Sequence, residues 1–69
     1  MAIKINDVQV SPCICAKARY ALGLTDIRPV NRTTCSPEYW YRVVNYFASV
    51  HRCSPAVIKI AKGRADLYA

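Results

Sequence analysis

The sequence predicts a mainly α-helical domain, a short N-terminal strand followed by about three helices, dimeric through the strand. Three observations carry that expectation. Ser-Pro occurs three times, at Ser11-Pro12, Ser36-Pro37 and Ser54-Pro55. A serine hydroxyl can accept from the free N–H groups at a helix start, and proline suits the first helical position, where no N–H is needed. Glu38, Arg42, Asn45, Ser49 and Arg52 follow at intervals of four, three, four and three, the spacing of one helix face. Ahead of them, Ile3, Ile5, Val8 and Val10 alternate with polar residues, the period of a strand.

Taken in order, the strand comes first. Its alternation slips at Asn6-Asp7, where a bulge or bend is expected. No second strand of similar quality follows, and a lone strand leaves N–H and C=O groups unpaired. The simplest mate is the same strand of a second copy, which predicts a homodimer. Helix one is expected from Pro12 to Leu22, with Gly23 stopping it in a left-handed conformation. It is rich in small residues (Cys13, Cys15, Ala16, Ala18, Ala21), with Lys17 and Arg19 on its more polar sides. Leu24 to Cys35 reads as a loop that exposes Arg28 and Arg32. Helix two is expected from Pro37 to Arg52. Trp40, Val43, Val44, Phe47 and Val50 lie opposite its polar face, and Tyr39, Tyr41 and Tyr46 towards its flanks. Helix three starts at Pro55, with Val57, Ile58, Ala61 and Ala65 as its apolar stripe. Gly63 is an early stop before the tail Arg64 to Ala69.

A chain of 69 residues is one domain, 1–69, and a core this small is marginal without a staple or a partner. The four cysteines, Cys13, Cys15, Cys35 and Cys53, are expected to be reduced and to pack as small hydrophobes. Met1 to Asp7 lacks the apolar stretch of a secretory signal, so a cytoplasmic location is expected, where thiols stay free. Cys13, Cys15, His51 and Cys53 could in principle hold zinc. One intervening residue within each pair is too few for the usual chelating spacing, so no metal is expected. No apolar segment approaches the ~18 residues of a membrane span; the longest, Val43 to Val50, is far shorter.

Ten Lys and Arg against four Asp and Glu give a net charge of +6. That balance favours an acidic partner, either nucleic acid or an acidic protein face. Catalysis finds little material: His51 is the single histidine, the acids Asp7, Asp26, Glu38 and Asp66 are scattered, and two glycines cannot build a phosphate cradle. No enzyme activity and no cofactor are expected. Binding finds more, because aromatics and arginine dominate protein interfaces. Tyr39, Arg42, Tyr46, Lys17 and Arg19 are the expected partner contacts.

Two resemblances sharpen the partner in different directions. The stretch Phe47-Ala48-Ser49-Val50-His51-Arg52-Cys53-Ser54-Pro55-Ala56-Val57-Ile58-Lys59-Ile60-Ala61-Lys62-Gly63 resembles the helix-turn-helix of lac-repressor-like and phage-repressor-like regulators. Ala48 falls where that motif packs a small residue between helices, Cys53 at the apolar turn position, and Ile58 where the second helix is anchored. Arg52 stands where the family typically has glycine. The resemblance implies a second helix in the major groove, with Lys59 and Lys62 towards phosphates or bases and Ala56 and Val57 near the groove floor. In length, basicity, Cys and Tyr content and layout, the whole chain resembles the small anti-activators of quorum sensing made early by transposable phages. That resemblance implies a dimeric inhibitor in the cytoplasm of the infected host. Its target would be a LuxR-type regulator, bound through the DNA-binding domain, with the pilus assembly ATPase as a second target. Beside these two readings stands a third, a structural or adaptor subunit without inhibitory role.

Overall fold

The computed structural model describes residues 3–29 and 35–64. It is mainly α-helical with a small β part: β1 (Ile3–Ile5), β2 (Val8–Val10), α1 (Pro12–Ala21), α2 (Pro37–His51) and α3 (Pro55–Gly63). The expected exposure of Arg32 and the tail from Ala65 to Ala69 lie outside the described residues.

The N-terminal segment is two strands rather than one. β1 and β2 pair antiparallel, with Ile3 opposite Val10, Lys4 opposite Gln9 and Ile5 opposite Val8. Between them Asn6 and Asp7 hold φ of 52° and 64°. Two consecutive left-handed residues make the tight turn whose twist matches a hairpin, and Asn and Asp tolerate that conformation better than other L-residues. The slip of phase at Asn6-Asp7 is therefore a reversal of direction. The chain supplies its own mate for the strand, so pairing with a second copy is not needed to satisfy it. Ile3, Ile5, Val8 and Val10 share the inner face of the hairpin; Val10 and Ile5 are buried in the core, while Val8 stays exposed at the rim.

All three Ser-Pro dipeptides open helices. Ser11, Ser36 and Ser54 are extended at the N-cap, and their hydroxyls accept from the N–H groups of Ile14, Tyr39 and Val57 at 3.3, 3.2 and 3.4 Å. α1 ends as Gly23 turns left-handed, at φ 75°. The Leu24 N–H then donates to the Arg19 carbonyl and the Gly23 N–H to that of Tyr20, the pair of hydrogen bonds that satisfies the last carbonyls of a helix.

The core joins the hairpin to α1 and α2: Ile5, Val10, Ile14, Cys15, Ala18, Ala21, Leu22, Trp40, Val43, Val44, Phe47 and Ala48 are buried together. α3 adds Ala61 as its fully buried residue, with Val57 and Ile58 packed half-buried against the rest. Two expectations need correction. Lys17 is not on a polar side of α1; it is 1% exposed. It follows Ile14 by three and precedes Ala21 by four, so helix geometry puts it on the inward stripe, and its aliphatic stem can occupy apolar space. Val50 is not on the buried side of α2; it is 59% exposed, because it sits in the last turn, at the edge of the apolar arc. The polar face of α2 is as expected, with Glu38, Arg42, Asn45, Ser49 and Arg52 all exposed.

Candidate protein-binding face on the second helix

Phe47 is the anchor of this face. Its ring is nearly buried, with the Arg19 guanidinium of α1 over it at 5.5 Å from the centroid. The Tyr46 ring meets it edge-on, centroids 5.3 Å apart and planes at 88°. Such cation–π and edge-to-face contacts hold two otherwise mobile side chains in fixed orientations. Tyr46 itself is 38% exposed, and Val50, one turn further along α2, is more exposed still. Together they form an apolar ridge.

An open groove runs along each side of the ridge. One, of about 380 Å³, has Arg42, Asn45 and Ser49 of α2 on one wall and Ile5 and Asn6 of the hairpin on the other. The second, of about 340 Å³, is walled by Ile3, Pro12, Cys15 and Arg19 together with Phe47. Tyr46 and Val50 belong to both. Three of the five expected contacts, Arg42, Tyr46 and Arg19, are thus brought onto one surface. Val50 and Ile3 join them without having been expected there. The sign that Val50 was available is its place as the last aliphatic residue before the turn, with no later turn of α2 to pack over it.

The other two expected contacts, Tyr39 and Lys17, line neither groove. Tyr39 is half-buried on the same side of α2 as Tyr46, seven residues earlier, and its hydroxyl donates to the Gln9 carbonyl at 3.5 Å. That bond ties the start of α2 to the hairpin. Burial pushes the Tyr39 phenol above its ordinary value, and the nearby Cys35 and Cys15 thiols act in the same direction. Burial likewise raises the Cys15 and Cys35 thiols, opposed at Cys15 by the charge of Arg19 and at Cys35 by that of Lys17. Lys17 is too buried to meet a partner.

The α2–α3 junction has the geometry of a tight helix-turn-helix. Arg52 adopts φ 52° and ψ 48°, the left-handed conformation usually left to glycine. The Cys53 N–H donates to the Ala48 carbonyl at 2.9 Å and that of Arg52 to Ser49 at 3.3 Å. Ala48 is buried and Cys53 half-buried. The exposed residues of α3 are Pro55, Ala56, Lys59, Ile60 and Gly63, with Val57 half-buried. Lys62 is half-buried, and its ammonium lies 5.5 Å from the centre of the Tyr41 ring. A further open groove of about 440 Å³ between the two helices is lined by Asn45, Pro55, Ile58, Lys59 and Lys62.

Among the described residues, no three or more His, Cys, Asp or Glu side chains are grouped to hold a metal ion. Cys13, Cys35 and Cys53 are half-buried and Cys15 is buried, and none of the four is in a disulfide. No helix among the described residues is long and apolar enough to cross a membrane. No known protein family, curated protein or solved structure matches the chain.

Proposed function

We propose that this chain is a phage-type inhibitor that works by binding a host protein and catalyses nothing. Its target is a LuxR-type quorum-sensing activator, held at the DNA-binding domain, with the pilus assembly ATPase as a second target. The supporting observation is the exposed ridge of Tyr46 and Val50 between Arg42 and Arg19. An exposed tyrosine between arginines matches the enrichment of aromatic and arginine side chains at protein interfaces, where they carry most of the energy. The choice of target rests on the whole-chain resemblance in length, basicity and Cys and Tyr content. A homodimer belongs to the same reading.

A second reading, a helix-turn-helix transcriptional regulator, is favoured by one specific observation, the left-handed Arg52 turn between α2 and α3. The exposed side of α3 supports it less. Base edges are read by Arg, Lys, Asn, Gln and acids, and Lys59 alone represents them among Pro55, Ala56, Ile60 and Gly63.

The two readings separate in a gel shift. A purified LuxR-type DNA-binding domain on its operator should lose the DNA when this chain is added. Tyr46→Ala should need roughly ten-fold or more protein for the same release, the scale of a hot-spot residue. If the regulator keeps its DNA at every concentration, the inhibitor reading is wrong. If this chain itself shifts mixed-sequence duplex at about 50 mM salt and loses it at about 200 mM, with Lys59→Ala weakening the complex, the helix-turn-helix reading takes its place.

A further inference from the structure

We propose that the ridge and its two grooves receive an acidic amphipathic helix of the partner. The apolar stripe of that helix rests on Tyr46 and Val50, and its carboxylates lie to either side, on Arg42 and Arg19. The inference builds on the protein-binding reading above and states what the partner must present to this face.

Shape points to a helix. From Arg42 to Val50 the strip covers nine residues of α2, about 12 Å or two turns, so a second helix laid beside it would meet it with anchors at i, i+3 or i+4, and i+7. The two grooves share Tyr46 and Val50, so one strip of surface offers an apolar centre with a trough on each side. Charge points to acids. Arg42 lines one trough and Arg19 the other, and no Asp or Glu is among the lining residues described. The acids closest in sequence, Asp7 after Asn6 and Glu38 one turn before Arg42, line neither trough. Guanidinium is a planar fork that donates to both oxygens of a carboxylate. Arg19 is already oriented by the Phe47 ring, so little side-chain freedom is lost when it meets an acid. Nucleic acid fits this strip less well. Phosphates would satisfy the arginines but leave Val50, 59% exposed at its centre, uncovered.

The test uses the isotope-labelled full chain and three designed helical peptides of about 18 residues, roughly five turns. They share one leucine stripe and differ in flanking it with Glu, Lys or Gln. Amide and methyl spectra should move at Arg19, Arg42, Tyr46, Val50 and Ile3 with the Glu-flanked peptide. That peptide should bind at least about ten-fold tighter than the Lys-flanked one at low salt, because like charges facing each other repel. The double variant Arg19→Glu with Arg42→Glu should reverse the order, and unchanged circular dichroism would show that it folds. Equal binding of all three peptides overturns the proposal, as does no shift at this face or binding confined to α3. So does displacement of the Glu-flanked peptide from these residues by mixed-sequence duplex, or shifts here on concentrating the chain alone, which would give the face to a second copy. A chain that takes the Glu-flanked peptide but leaves the LuxR-type domain on its operator keeps this inference and loses that target. A chain that releases the regulator equally well with both arginines reversed keeps the function and loses this inference.

Discussion

Helices α2 and α3 start in the same way and are held very differently. Each opens on Ser-Pro with the serine hydroxyl accepting from the N–H of the third helical residue. α2 then sinks Trp40, Val43, Val44, Phe47 and Ala48 into the core, whereas α3 buries Ala61 fully and Val57 and Ile58 by half. Apolar area removed from water is the main favourable term, so α2 is the spine of the domain and α3 is attached along its edge. Outward, the contrast reverses in chemistry. α2 shows solvent an aromatic and basic face, with Arg42 and Tyr46 at its centre, while α3 shows Pro55, Ala56, Ile60 and Gly63 around a single exposed lysine, Lys59. Local sequence signals start helices equally well; depth of burial separates the helix that organises the fold from the one that leans on it.

The largest test of that contrast is truncation of one apolar side chain on each helix. Phe47→Ala should cost about 3–5 kcal/mol and leave a domain of this size mostly unfolded, since Phe47 is buried and carries both Arg19 and Tyr46. Ile58→Ala should cost about 1 kcal/mol, about half the burial value of an isoleucine, because Ile58 is only half-buried. Urea titration of both variants checks the difference; equal losses would mean that α3 is as integral as α2.

A smaller effect should appear with alkali, and it belongs to the half of the molecule built on α1 and α2. Cys15, Cys35 and Tyr39 have raised values in the folded chain, chiefly from burial. A group whose value is raised on folding holds its proton more tightly folded than unfolded. Stability should therefore be intact below the ordinary thiol value of 9.0 and fall as pH rises past it, towards the raised values, because unfolding then releases protons. Thermal melts under reducing conditions from neutral pH upward would show it. With Cys15→Ala and Cys35→Ala the fall should shift to the phenol range, and a melting temperature that rises with alkali would contradict the burial described.

The smallest effect concerns the two turns that end α1 and α2. Both close with the same pair of backbone bonds, one around Gly23 at φ 75° and the other around Arg52 at φ 52°. Nothing lies within 4 Å of where a Gly23 side chain would begin, so Gly23→Ala should cost about 1 kcal/mol through backbone strain alone. Arg52→Gly should return about 0.5–1 kcal/mol by removing that strain. Urea midpoints moving down for the first and up for the second check both. A loss from Arg52→Gly would mean that the arginine side chain supports the turn by contacts of its own.

Much of the fold was legible because its signals are local. The Ser-Pro caps, the stop at Gly23 and the polar face from Glu38 to Arg52 depend on hydrogen bonds and spacings within one helix. The hairpin was only half legible. The pattern at Asn6-Asp7 marks a break, but bend and reversal share the same alternation, and the pairing of Ile3 with Val10 is what distinguishes them. Of the expected contact residues, Arg42 and Tyr46 could be read from the helical period of α2. Arg19 could be read as basic, though not as the cation over Phe47, which comes from another helix.

What the sequence alone determined, then, is where the helices begin and end, which face of α2 is polar, and the excess of positive charge. These follow from short-range geometry and composition. Only the tertiary structure decided that Lys17 is sealed in the core, that Val50 faces solvent, and that Tyr39 is tied to Gln9. It also set Arg19, Tyr46, Val50 and Arg42 along one strip. The physical reason is common to all of them. A residue's exposure at the margin of a helix depends on which neighbouring element packs over it, and that is settled between segments far apart in the chain.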